Sequence, residues 1–165
     1  MFRAFLLALA LGLVASACSR VDDKPSRETP SGSPKPTTAK KLTFTRAGPG
    51  KLVDVVAAHA RAAEAQGRTP LVYVGARWCE PRQYFHKAAE AGELDGAFGD
   101  VSILELDADD DGPRLASAGY ASTYVPLFVV PERDGRGSDR RMAGSIKGPG
   151  AVAEITPRLQ KLLGR

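Results

Sequence analysis

Two cysteines, Cys18 and Cys79, are the candidate nucleophiles of this sequence. Cys79 stands in the run Trp78-Cys79-Glu80-Pro81, which follows a short apolar stretch and precedes a predicted helix. At a helix N-terminus the unpaired backbone N–H groups and the helix dipole favour the thiolate, which is the reactive form of cysteine. The sequence therefore predicts a reactive cysteine at Cys79, with Trp78 shielding one side of its sulfur.

The N-terminus has the three-part layout of an export signal. Arg3 supplies a positive charge, residues 4–14 form an apolar run, and residues 15–17 are a small-residue cleavage site, Ala-Ser-Ala. Such a run is too short to remain as a membrane-spanning helix, and the segment is removed from the mature protein. We expect residues 1–17 to be a signal peptide.

The residue after this cleavage site is Cys18. The run VASAC at 14–18 resembles a bacterial lipobox, in which the cysteine thiol is lipidated with acyl chains such as palmitate and becomes the first residue. Ala15 departs from the leucine that is more frequent at that position, and ordinary signal peptidase would cut at the same bond. We expect a lipidated Cys18 that anchors the chain to a membrane of the bacterial cell envelope, facing the periplasm. If Cys18 instead stays free, it could pair with Cys79.

A polar segment, residues 18–41, follows the signal. It is rich in Pro, Ser, Thr and Lys, so it cannot bury enough apolar surface to fold, and we expect a disordered tether. Residues 20–41 hold six Lys or Arg and three Asp or Glu, whereas residues 42–165 hold sixteen of each. The basic balance of the chain therefore comes from its N-terminal part, and the folded part lacks the positive surface of a nucleic-acid-binding protein.

Residues 42–165 alternate between patterns typical of strands and of helices, and this alternation predicts an α/β domain with a mixed sheet. Pro81 suits the first turn of the helix after Cys79, where its missing N–H costs nothing. The predicted strands are 42–45, 71–75, 101–106, 127–130 and 139–143, and the predicted helices are 52–66, 82–91, 113–118 and 151–163.

Three blocks of this domain resemble the thioredoxin family. They are LVYVGARWCEP at 71–81, Gly-Tyr at 119–120 with TYVPLF at 123–128, and GSIKG at 144–148 before the last helix. Their order and spacing are those of thioredoxin over nearly all of residues 42–165. The resemblance implies a thioredoxin-like fold, a central mixed sheet flanked by helices.

The resemblance also implies roles for individual residues. Cys79 would be the attacking cysteine, and Pro126 would follow a cis peptide bond and lie against it. The backbone of Val125 would pair with an extended substrate strand.

The departures from the family limit the chemistry. The second cysteine of the family falls on Arg82, so Cys79 cannot close a disulfide of its own within this motif. The acidic proton-relay residue of the family falls on Tyr73. Arg82 either approaches the sulfur and favours the thiolate or faces solvent without a role, while Glu80 beside the sulfur would oppose the thiolate.

The sequence predicts no metal site and no cofactor. The acidic run at 107–112 resembles the start of a calcium-binding loop, but Ala118 stands where the bidentate Glu would be. We interpret His86 as a residue of the surface or the core edge, and His59 as structural.

Two functions remain open at this stage. In the first, Cys79 performs thiol–disulfide exchange, as an oxidoreductase or isomerase, with exported proteins or small-molecule thiols and disulfides. In the second, the domain is a non-catalytic binding module or adaptor. We expect a monomer in either case.

Overall fold

The computed structural model describes residues 40–165, so the predictions for the signal peptide, for Cys18 and for residues 18–39 of the tether lie outside the described residues. Five strands and five helices follow one another along this part of the chain. The strands are β1 (Thr43–Arg46), β2 (Thr69–Gly75), β3 (Val101–Asp107), β4 (Leu127–Pro131) and β5 (Gly137–Ala143), and the helices are α1 (Leu52–Ala65), α2 (Glu80–Glu90), α3 (Asp95–Phe98), α4 (Gly112–Ala118) and α5 (Ala151–Leu163).

The strands form one mixed sheet in the order β1-β3-β2-β4-β5. Strands β1, β3 and β2 are parallel to one another, whereas β4 runs antiparallel to β2 and β5 antiparallel to β4. The C-terminal ends of the three parallel strands therefore lie at the same end of the sheet as the start of β4. We call this end the C-terminal edge. Loops that leave the parallel strands at this edge are brought close to the start of β4.

The sheet is covered on both faces, and the alternation of side chains along β2 explains how. Leu71 and Tyr73 belong to one apolar cluster, while Val72 and Val74 belong to the other. All four are almost completely buried. Because successive side chains of a strand point to opposite faces, a central strand that is covered on both sides reads as a continuous apolar run.

The predicted α/β class and mixed sheet are confirmed. Helix α5 has the predicted bounds, and most other elements begin or end one or two residues from the predicted positions. Helix α3 was not predicted, because a four-residue helix that contains a glycine is too short to show helical periodicity. None of the helices described here is long and apolar enough to cross a membrane.

Candidate functional site

Cys79 is the N-cap residue of α2, as the sequence predicted. Its backbone N–H donates to the carbonyl oxygen of Ala76 at 3.0 Å, which closes the turn between β2 and α2. Its own carbonyl oxygen accepts from the N–H of Gln83 at 3.3 Å. The thiol is free, but the residue is only 4% exposed. The sulfur is therefore held at the start of a helix and is shielded from bulk solvent.

Pro126 lies at the same edge of the sheet. The Val125–Pro126 peptide bond is cis, as the resemblance implied. Leu127, the first residue of β4, lies opposite Val74 near the end of β2, so Pro126 comes beside the turn that leads to Cys79. The carbonyl oxygen of Pro126 accepts from the N–H of Gly144 at 2.8 Å. The three sequence blocks that resemble thioredoxin thus converge on this edge.

The surface around this edge carries exposed apolar side chains. Among the described residues, the large exposed hydrophobic side chains are those of Trp78, Tyr124 and Ile146. The indole N–H of Trp78 donates to a carboxylate oxygen of Asp109 at 3.0 Å, which fixes the ring although it is 67% exposed. Gly144 brings the closing turn close to Tyr124, because a Cβ atom at Gly144 would lie 3.6 Å from that side chain.

Arg82 is neither exposed nor without a partner. Its Nε and Nη2 atoms both donate to Oε1 of Glu105, at 3.1 and 2.6 Å. Its aliphatic stem lies over Gly75 at the end of β2, where an added Cβ atom would come within 2.6 Å of the Arg82 Cδ atom. A larger residue at position 75 would therefore displace the Arg82 side chain, and Gly75 leaves the space that this side chain occupies.

Glu105 also has a second basic side chain beside it. Nε2 of His86 lies 2.9 Å from the same Oε1 atom, although the ring does not direct an N–H group at that oxygen. Glu105 itself stands on β3 directly opposite Tyr73 on β2. These residues form one group beneath the first two turns of α2, which we call the Glu105 cluster: Tyr73, Arg82, His86 and Glu105.

Burial and charge act in opposite directions within the cluster. Burial acts to raise the pKa of Glu105, but His86 and Arg82 outweigh it and hold that pKa below its usual value. The carboxylate is therefore ionised at neutral pH. Burial also raises the pKa of Tyr73 well above its ordinary value, with Arg82 opposing and Cys79 and Glu105 adding to the rise. Tyr73 is thus a neutral phenol at neutral pH.

The hydroxyl of Tyr73 is fully buried and has no hydrogen-bond partner among the described residues. Its ring packs against aromatic side chains, with ring centroids 4.8 Å from Phe128, 5.9 Å from Phe85 and 6.4 Å from Phe44. Tyr73, at the position that is acidic in the thioredoxin family, is therefore part of an aromatic core.

The structure brings most of the predicted site residues together at one end of the sheet. Cys79, Trp78 and Arg82 flank the start of α2, and Val125 and Pro126 lead into β4. Sequence reasoning missed Glu105. The signal for it was weak: a single acidic residue within the apolar run of β3, which only the pairing with β2 makes meaningful.

No family model matches the chain, and no curated protein matches it. A solved structure, thioredoxin O1 from Arabidopsis thaliana in its oxidized state, is similar with 16% sequence identity and a TM-score of 0.46, over 76% of this chain and 96% of that one. The order and directions of the strands, with helices packed on the mixed sheet, define a thioredoxin-like fold.

Proposed function

We propose that this protein is a membrane-tethered, extracytoplasmic thioredoxin-like protein that performs thiol–disulfide exchange through one cysteine, Cys79. The observation that carries the proposal is the position of Cys79 as the N-cap of α2, at the sheet edge that also holds cis-Pro126. Cys79 is the sole cysteine of residues 19–165, so the exchange must use a thiol from outside the domain.

The proposed reaction needs no external oxidant or reductant when one client supplies both the disulfide that is attacked and the thiolate that completes the exchange. The Cys79 thiolate attacks one sulfur of a client disulfide, so that a mixed disulfide forms and the other client sulfur leaves as a thiolate. A third cysteine thiolate of the same client, different from the one that left, then attacks the client sulfur of the mixed disulfide. This step releases Cys79 as a thiolate and leaves the client with a rearranged disulfide. A small-molecule thiol could take the place of the third client thiolate.

The direction of the strands supports a tethered arrangement. Lys40 precedes β1 and therefore lies at the N-terminal edge of the parallel strands, where its Nζ donates to the carbonyl oxygen of Gly67 at 3.1 Å. Cys79 follows β2 and lies at the C-terminal edge. A chain anchored through residues before Lys40 would therefore enter the domain at the end opposite Cys79.

Cys79→Ser is expected to abolish covalent capture of clients. Envelope extracts of cells that carry the wild-type chain should contain mixed disulfides, visible on non-reducing gels after acid quenching and lost on addition of dithiothreitol. The serine variant should show none, because its hydroxyl cannot form a disulfide. A matched control is Ser117→Cys, made in the Cys79→Ser background, since it supplies a thiol on exposed helix α4. Equal capture by this control would contradict a specific role for Cys79.

The mature N-terminus is expected to begin at Cys18 with a diacylglycerol on its sulfur. Intact-mass spectrometry of the protein extracted from membranes measures this directly. A thioether at Cys18 cannot take part in redox chemistry. Cleavage without an added lipid mass would remove the anchor from the proposal and leave Cys18 as a possible partner for Cys79.

A second candidate function is a non-catalytic binding module. Two observations favour it. Cys79 is almost completely buried, whereas the rings of Trp78 and Tyr124 are exposed and could pack against an extended partner segment. In that case Cys79→Ser would retain partner binding and function in the source organism, whereas Trp78→Ala would lose both. Loss of function in the serine variant with binding intact would favour the exchange reaction.

A further inference from the structure

The Glu105 cluster lies directly beneath the turn that holds Cys79. The stem of Arg82 rests on Gly75, and the hydrogen-bonded turn from Ala76 to Cys79 begins at the next residue. Arg82 is three residues after Cys79, in the first turn of α2, and residues at this spacing are neighbours on a helix surface. Arg82 and Cys79 both act on the phenol of Tyr73, so the guanidinium and the sulfur share one neighbourhood, while the donors of Arg82 are directed at Glu105.

Within the cluster, the positive charge of Arg82 is balanced by the negative charge of Glu105. Glu105 carries one negative charge and Arg82 one positive charge, and His86 adds a second positive charge only when it is protonated. On β1, Arg46 is the register neighbour of Glu105, but its guanidinium pairs with Asp110 instead, at 3.1 Å. From β2 the cluster receives Tyr73, which is neutral. Glu105 is thus the group that offsets Arg82.

The pair is shielded enough for this balance to matter. The side chains of Arg82 and Glu105 are 24% and 16% exposed, so their charges are screened by solvent less than those of a surface pair. A charge close to a buried thiol changes the proportion of thiolate. Removing either partner should therefore change the reactivity of Cys79, and the two changes should have opposite signs.

We propose that Glu105 is a positioning residue for Cys79: it holds Arg82 against the end of β2 and offsets the positive charge that would otherwise favour the thiolate. In this arrangement Arg82 replaces a second cysteine as the neighbour of Cys79, and Glu105 determines how strongly it acts. The inference concerns the chemistry of Cys79 and so rests on the proposed function, but it can be tested without a client.

The test measures the rate of alkylation of Cys79 by iodoacetamide as a function of pH, on the mature chain with Cys18 in its natural state. Glu105→Gln keeps a hydrogen-bond acceptor for Arg82 but removes the negative charge. We expect the midpoint of the pH profile to move toward acid on the order of one pH unit. Below that midpoint the rate should rise about three- to fivefold, because a less basic thiolate is also a weaker nucleophile.

Arg82→Met should move the midpoint in the opposite direction, since Glu105 then faces the thiol with only His86 beside it. Arg82→Lys, which keeps the charge, should restore most of the wild-type profile. The double variant with Glu105→Gln and Arg82→Met should lie close to wild type, because both charges of the pair are gone. These opposite shifts separate an electrostatic role from a purely structural one, which would change stability without this pattern.

The Asp100–Arg165 pair provides a matched control at the opposite edge of the sheet. Arg165 Nη2 lies 2.6 Å from Asp100, and its hydrogen bonds lower the pKa of that carboxyl, as His86 and Arg82 do at Glu105. Asp100→Asn should leave the alkylation profile unchanged. Shifts of the same sign in Glu105→Gln and Arg82→Met, or no shift in either, would overturn the inference. If client capture by Cys79 persisted in that case, the proposed function would still stand.

Discussion

Arg82→Cys is expected to convert the domain into a dithiol protein. The introduced thiol would stand three residues after Cys79 in the first turn of α2, the spacing at which a helix start accommodates a disulfide. Oxidation should close an intramolecular bond, and the reduced form should reduce a model disulfide such as that of insulin in the presence of dithiothreitol. The wild-type chain, with its single cysteine in the domain, should show only the background rate.

The cost of this substitution comes from Glu105. Removing Arg82 leaves the carboxylate with His86 as its remaining neighbour and leaves unfilled space above Gly75. We expect the reduced variant to lose about 1–3 kcal/mol of unfolding free energy. Adding Glu105→Gln should recover part of that loss without removing the new activity, which separates a failure to fold from a failure of the site geometry.

A suitable control for the new activity is Lys87→Cys. It places a second thiol on the exposed face of the same helix, eight residues after Cys79 and therefore about 12 Å along the axis. This variant has the same number of thiols but should form no intramolecular disulfide. Reductase activity equal to that of Arg82→Cys would show that a second thiol suffices without the helix-start geometry, and would contradict the argument from the fold.

Much of the fold was predictable because its signals are local. Each signal is contained in one short stretch of sequence, as in the apolar runs of β2 and β3 and the helical periodicity of α1 and α5. Periodicity and turn residues report such elements directly. A helix shortly after Cys79 was predictable for the same reason, since Pro81 marks a first helical turn, although α2 begins at Glu80 and the predicted helix at residue 82.

The surroundings of Arg82 were not predictable in this way. Arg82 and Glu105 are 23 residues apart, and their contact depends on the register that places Tyr73 of β2 opposite Glu105 of β3. The sequence left two interpretations of Arg82 open, one beside the sulfur and one in solvent. The structure adds a third, in which the guanidinium is held by a carboxylate that no motif pointed to. The sequence placed His86 at the surface or the core edge, and the structure adds that it lies beside Glu105.

Tyr73 provides the clearest contrast between the family resemblance and this core. Tyr73→Asp would restore an acidic residue at the relay position, but it would place a carboxylate within an aromatic cluster and directly opposite Glu105. We expect a loss of unfolding free energy of at least about 3 kcal/mol at neutral pH, from the lost ring and the buried charge together.

The pH dependence of that loss has a definite sign. Burial would raise the pKa of the introduced carboxyl above its unfolded value. Such a group costs little while it is protonated in both states, and its cost grows as the pH rises above the unfolded value of about 4. Unfolding by urea at a series of pH values should therefore show the smallest difference from wild type in acid, provided each variant is compared with wild type at the same pH. A constant difference from pH 4 to pH 7 would argue against a buried ionisable group.

Tyr73→Phe is the matched variant, since it keeps the ring and removes only the hydroxyl. That hydroxyl is buried and has no partner among the described residues, so its removal should raise the unfolding free energy by about 1 kcal/mol. The ring contacts with Phe85 and Phe128 would remain. A destabilised phenylalanine variant would indicate that the hydroxyl makes a hydrogen bond, most simply to an ordered water. In that case Tyr73 would belong to the polar part of the Glu105 cluster, and the alkylation profile of Cys79 should change with it.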